Sequence, residues 1–183
     1  RMRLMLLLCS LAAAQAATFS QQVRTFYTTA DGLPSDDVIE VSVRDGVVWA
    51  RTAAGGARFA GGRWSAAAYP ASAAAAADWK RYQCAEGVPY DNFTSMAAGP
   101  AGEVWLGTRR GAVHFDGRSW EYRQGLRWLP HDEIRSVAVD PQGNAWFTTP
   151  KGVGLIARRS LTFAEKARFF EDEIDKRHRR TPY

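Results

Sequence analysis

One local arrangement, centred on a tryptophan, returns three times along this chain and limits what it can fold into. Trp49, Trp105 and Trp146 each follow a small apolar residue. Each leads to a threonine in Trp49-Ala-Arg-Thr52, Trp105-Leu-Gly-Thr108 and Trp146-Phe-Thr148, and glycine follows at Gly55, Gly111 and Gly152. Ahead of each stands a proline-containing stretch rich in polar residues: Leu33-Pro-Ser-Asp-Asp37, Val88-Pro-Tyr-Asp-Asn92 and Leu129-Pro-His-Asp-Glu133. Behind the first two come Phe59 with Trp64 and Phe115 with Trp120. A unit that recurs with the same side chains in the same order folds as the same small piece each time. Such pieces bury their apolar faces chiefly against one another.

The pieces are built of strands. Val38-Ile-Glu-Val-Ser-Val43 and Ile134-Arg-Ser-Val-Ala-Val139 alternate apolar and polar residues, the period of a half-buried strand. Asp45-Gly46, Pro100-Ala-Gly102 and Asp140-Pro-Gln-Gly143 are turn sequences with glycine where φ turns positive. Asp116-Gly117 marks a hairpin before Trp120. Trp105 and Trp146 are 41 positions apart, the length of one four-stranded propeller blade. Trp49 and Trp105 are 56 apart, and the excess falls in residues 66–77, a nearly all-alanine insertion expected to be a surface excursion. The expected fold is therefore all-β: a partial β-propeller of about three four-stranded blades over residues 17–157. Three blades cannot close such a ring, since rings use at least about four. Further blades, from the same chain or from a partner chain, are expected. Arg1 at the start and Tyr183 directly after a proline read as cut ends of a longer frame.

The first sixteen residues read as a targeting signal. Arg1 and Arg3 precede an apolar run, Leu4 to Ala14, and Ala14-Gln-Ala16 is a small-x-small cleavage sequence. A run this short does not span a bilayer, which takes roughly 20 apolar residues. The expectation is a periplasmic or secreted protein with no membrane insertion by this stretch. Cys9 is preceded by Leu8 rather than a small residue, which argues against a lipoprotein signal, and cleavage would leave Cys84 without a partner for a disulfide. The net charge of +5 sits outside the blades: Arg1 and Arg3 contribute two, and residues 158–180 hold eight basic against five acidic residues. Residues 17–157 are thus neutral, so no nucleic-acid partner is expected.

From Ser160 the period changes. Phe163, Ala167, Phe170 and Ile174 fall at helical spacing, and Thr162-x-x-Glu165 has the form of a capping box. Acid-then-base pairs four apart join Asp172 to Lys176, Glu173 to Arg177 and Asp175 to Arg179, and Pro182 ends the pattern. One amphipathic helix of about eighteen residues is expected within 158–183, opening a further domain.

The repeats resemble the two-component regulator propeller family, whose pattern of Gly-Leu-Pro, then Trp with Gly-Thr, then Phe-Asp-Gly is matched best at Gly32 to Val38 and Val104 to Gly117. The likeness covers roughly residues 24–157 and departs from the pattern at Ala50-Arg51, at Ala60-Gly61 and at Trp128, an extra residue before the third Leu-Pro. The segment Gly143-Asn-Ala-Trp-Phe-Thr148 also resembles lyase-type propellers. The first resemblance implies a periplasmic sensor module that recognises a small-molecule or saccharide ligand. The alternative it leaves is an accessory propeller of an exported enzyme whose catalytic part lies beyond residue 183.

The chain itself offers little catalytic chemistry. His114, His131 and His178 stand in three different elements without paired metal spacing, and no glycine-rich loop precedes a helix. Neither a cofactor nor a metal is called for. In a propeller, the loops leading into the inner strands surround the central channel, and here they hold Tyr90, Asp91, Trp128 and His131 as candidate ligand contacts. Trp128 falls outside the repeat template and stands beside polar groups, an arrangement suited to a sugar face.

Overall fold

The computed structural model describes residues 17–70 and 92–180, so the N-terminal segment 1–16, residues 71–91 with Tyr90, Asp91 and Cys84, and residues 181–183 lie outside the described residues. Twelve strands form three four-stranded antiparallel sheets among the described residues. Blade 1 is β2 (Val38–Arg44), β3 (Val47–Thr52), β4 (Gly55–Ala60) and β5 (Arg63–Ala66) in chain order. Blade 2 repeats the plan with β6 (Phe93–Ala98), β7 (Val104–Thr108), β8 (Gly111–Phe115) and β9 (Trp120–Arg123).

Blade 3 is closed differently. Its β10 (Ser136–Val139), β11 (Ala145–Thr149) and β12 (Gly152–Leu161) take their outer partner from the other end of the chain, β1 (Phe19–Tyr27). Nine residue pairs join β1 to β12, from Phe19 opposite Leu161 to Tyr27 opposite Val153. The three expected four-stranded blades are therefore present, with the third completed by a strand some 130 residues away in sequence.

The repeated residues have repeated jobs. In each blade the threonine that ends the second strand caps the next turn: Thr52, Thr108 and Thr149 donate to the carbonyls of Gly55, Gly111 and Gly152 at 2.8, 2.8 and 2.9 Å. Each hydroxyl also accepts from the turn, from the N–H of Ala54, Arg110 and Lys151. The glycine is required twice over at Gly152, where φ is +115° and a Cβ would strike the Tyr27 carbonyl. Asp140, buried at the β10–β11 turn, accepts from the Gln142 and Asn144 N–H groups, from the Asn144 side chain and from Trp146 Nε1 at 3.0 Å.

Blade 3 lies between the other two, with β10 packed against both β2 and β6. Each interface is filled by a tryptophan reaching from one blade into the next. Trp105 of blade 2 meets Phe147 of blade 3 edge-on, with centroids 5.3 Å apart. Trp146 of blade 3 meets Phe59 and Trp64 of blade 1 and stacks on Tyr27. Burial in this aromatic cluster pushes the Tyr27 hydroxyl up to about 12. Trp49, at the same template position in blade 1, is half-buried and joins none of the apolar clusters among the described residues.

Helix α1 (Phe163–Arg180) begins with the expected capping box: the Thr162 N–H donates to Glu165 at 2.8 Å and the Glu165 N–H to the Thr162 hydroxyl at 3.2 Å. The Thr162 N–H, together with the Thr162 hydroxyl that donates to the same carboxylate at 2.9 Å, holds the Glu165 carboxyl below its usual range. Its orientation differs from the apolar stripe read in the sequence. Phe163 is 74% exposed and Ile174 46%, whereas Phe169, Phe170 and Glu173 turn inward. The reason is Arg24 of β1, itself buried, whose guanidinium lies 3.9 Å from the buried Glu173 carboxylate and over the Phe170 ring. Rotating the helix to bury Ile174 would leave that arginine without its counter-charge. Glu173 also pairs with Lys176 at 3.0 Å.

Candidate recognition site

The propeller frame has two ends and a wall, and each carries a hollow among the described residues. At the end bearing the β7–β8 turn, a cavity of about 640 Å³ is lined by Asn92, Phe93, Thr94, Thr108, Arg109 and Arg110. Three chain entries to inner strands meet beside it. Thr94 Oγ1 donates to the Ile134 carbonyl at 2.7 Å, and the Ile134 N–H donates to Thr108 at 2.9 Å. Arg135 then forms an ion pair with Asp37 and so reaches the start of blade 1. Arg109 and Arg110 fill the two positions between the fixed Thr108 and Gly111, where blade 1 has Ala53-Ala54 and blade 3 has Pro150-Lys151. Both arginines are exposed, and neither makes an ion pair among the described residues. Phe93 beside them is 39% exposed.

At the opposite end, a cleft of about 190 Å³ between blades 2 and 3 is lined in part by Gln22, Glu103, His114, Asp116 and Arg158. His114 is buried, stacked on Trp105 at 4.2 Å, with Nδ1 3.4 Å from Glu121. Burial lowers its pKa in spite of the neighbouring carboxylate. Asp116 is held below its ordinary range by the Ser119 and Arg118 N–H groups. On the outer wall of the same seam, a shallow groove of about 330 Å³ runs past Gln21, Gln22, Arg123, Trp128, Arg158 and Lys166.

The residues singled out from sequence are divided among these places. Tyr90 and Asp91 lie outside the described residues, although Asn92, which follows them, lines the end cavity. His131 sits in the blade 3 entry loop, where its Nδ1 accepts from the Glu133 N–H at 3.1 Å. Trp128 is in the same loop but lines the wall groove, half-buried against the Trp105–Leu129–Phe147 cluster with the Arg123 guanidinium 4.6 Å over its ring. Arg109, Arg110, Arg158 and Lys166 were not anticipated. The first two carried a readable signal, a two-residue tip inside a constant Thr-x-x-Gly frame. Among the described residues no group of His, Cys, Asp and Glu side chains is placed to hold a metal ion, and no helix is long and apolar enough to cross a membrane.

Three repeated antiparallel blades, stacked through tryptophans, with the third closed by an N-terminal strand, define a propeller-class domain. Among known families, residues 129–151 match the model of the two component regulator propeller, in agreement with the motif resemblance. Curated proteins give no match. Among solved structures the chain is similar to two extracellular domains assigned to hybrid two-component systems of B. thetaiotaomicron. One has 18% identity and TM-score 0.36, over 76% of this chain and 19% of that one. The other has 16% identity and TM-score 0.34, over 70% and 22%. Streptogramin B lyase is similar at 14% identity and TM-score 0.31, over 68% and 38%. The chain thus spans about a fifth of the length of the two extracellular domains.

Proposed function

We propose that this chain is part of an exported sensor propeller that recognises a small-molecule ligand, with a saccharide as the leading class, at the end where the three inner-strand entries converge. The observation that carries the reading is the 640 Å³ cavity with its exposed phenylalanine and two arginines that make no ion pair among the described residues, set on a fixed frame. Apolar surface beside a few convergent polar groups is the usual make-up of a ligand pocket. His131 lies in the blade 3 entry loop, Tyr90 and Asp91 directly precede Asn92 in the sequence, and all three are proposed as further contacts at that end; Trp128 lines the separate wall groove. Export is supported by the basic, apolar and small-x-small order of residues 1–16.

The test is calorimetric titration of the full chain against a panel of oligosaccharides, alongside an Arg109→Ala/Arg110→Ala variant. Neither arginine has a side-chain partner among the described residues, so the variant should melt with the parent and bind its ligand about tenfold more weakly. A variant that binds as well as the parent would move the site elsewhere. Absence of binding across the panel would remove the saccharide reading.

A further inference from the structure

The wall groove, like the end cavity, carries two cations without acidic partners among the described residues, and it adds amide and hydroxyl groups beside an indole. Four elements build it: β1 gives Ser20, Gln21 and Gln22, β9 gives Glu121 and Arg123, β12 gives Arg158, and α1 gives Lys166, with Trp128 between blades. Arg123 is fully engaged. Its Nη2 pairs with Glu121 at 2.5 Å, its Nε donates to Gln22 Oε1 at 2.7 Å, its Nη1 donates to the Tyr122 carbonyl, and its plane covers Trp128. Glu121 is thereby neutralised, and its remaining contact is His114. Arg158 and Lys166 are left with no acidic partner among the described residues, on one side of a concave surface walled by an indole. Because Gln22 accepts through Oε1, its NH₂ group is left to donate.

Two uncompensated cations, an amide donor, a serine hydroxyl and an aromatic wall suit one kind of ligand: a small ring bearing a carboxylate and hydroxyl groups. We infer that the groove between blades 2 and 3 binds such an anionic ring compound, with Arg158 and Lys166 on the carboxylate and Ser20, Gln22 and Trp128 along the ring. A guanidinium can take a carboxylate through two parallel bonds, while the lysine acts as a point charge. The groove, about 330 Å³, is large enough for one ring. The site is separate from the end cavity in position, and it stands whether or not that cavity binds a saccharide.

The test uses glucuronate, with glucose as the same ring lacking the carboxylate, titrated into the full chain and followed by tryptophan fluorescence and calorimetry. In the Arg109→Ala/Arg110→Ala background, which disables the end cavity, glucuronate should bind, glucose should not, and raising the salt concentration should weaken binding. Arg158→Ala/Lys166→Ala should lower the affinity about tenfold, the product of two partly exposed ion pairs, with an unchanged melting temperature. Arg109→Ala/Arg110→Ala, at the far cavity, should leave glucuronate binding intact. In that background, equal binding of glucose and glucuronate, no binding of glucuronate, or full affinity when Arg158→Ala/Lys166→Ala is added would each overturn the inference.

Discussion

Replacing Trp105 with alanine tests whether the stack is held together by its tryptophans. The side chain is 3% exposed, faces Phe147 across the blade 2–blade 3 interface and stacks on His114. A tryptophan buries roughly 150–250 Å², which at ~25 cal/mol per Å² corresponds to about 4–6 kcal/mol. That is an upper bound, because the unfolded chain already hides part of this surface. Large aromatic truncations in cores cost ~3–5 kcal/mol, and the same range is expected here. Trp49 supplies the control. It occupies the same template position but is half-buried outside the core clusters, so Trp49→Ala should cost about 1–2 kcal/mol, in proportion to its smaller burial. Urea unfolding of the full chain, with the slope checked between variants, measures both. A loss below about 1 kcal/mol for Trp105→Ala, or equal losses at the two positions, would refute the interlocking account.

Two further outcomes follow from individual polar groups. Thr108→Val removes a hydroxyl that both donates to Gly111 and accepts from Arg110, and should destabilise by about 1–2 kcal/mol; Thr148→Val, where the fully buried hydroxyl has no hydrogen-bond partner among the described residues, should be neutral or stabilising, and parallel denaturation of the pair checks the contrast. His114, held neutral by burial, has a folded pKa below its unfolded value near 6.5, so the unfolded chain takes up the proton first and stability should fall as pH drops below that value. His114→Gln should flatten this part of the profile between pH 7.5 and 5, and an unchanged pH dependence in the variant would count against burial as the cause.

Much of the fold could be read from the chain because each blade is specified locally. The alternation in 38–43 and 134–139, the Thr-x-x-Gly turns and the spacing of Trp105 and Trp146 all act within some forty residues. The two features that were not legible depend on distant partners. Phe19–Tyr27 has a strand-like run at Val23, Thr25 and Tyr27, but nothing in it says that its edge is β12 rather than β2. The face α1 presents to the blades is not set by apolar periodicity alone, which ignores ion pairs: the buried Arg24 draws Glu173 and Phe170 inward and leaves Phe163 and Ile174 exposed. The wall groove was hidden for the same reason: Gln22, Arg123, Arg158 and Lys166 come from four elements that only the closure of blade 3 brings together.

The frame also decides where recognition is possible. In blade 2 Trp105 is committed to the interface, Thr108 to the turn and Gly111 to a positive φ of 124°, and blade 3 spends Trp146, Thr149 and Gly152 in the same way. None of these side chains can be redirected to a ligand without a structural cost of the size worked out for Trp105. What remains free is the pair of residues at each turn tip and the surface between blades. The three tips differ as much as two residues can: Ala53-Ala54 is apolar, Pro150-Lys151 is rigid with one charge, and Arg109-Arg110 carries two. Exchanging Arg109-Arg110 for the Ala-Ala of blade 1 is therefore a change the frame already accommodates in the same chain. It alters the end cavity while leaving Thr108 and Gly111 in place, which is why that substitution separates a lost ligand contact from a damaged fold.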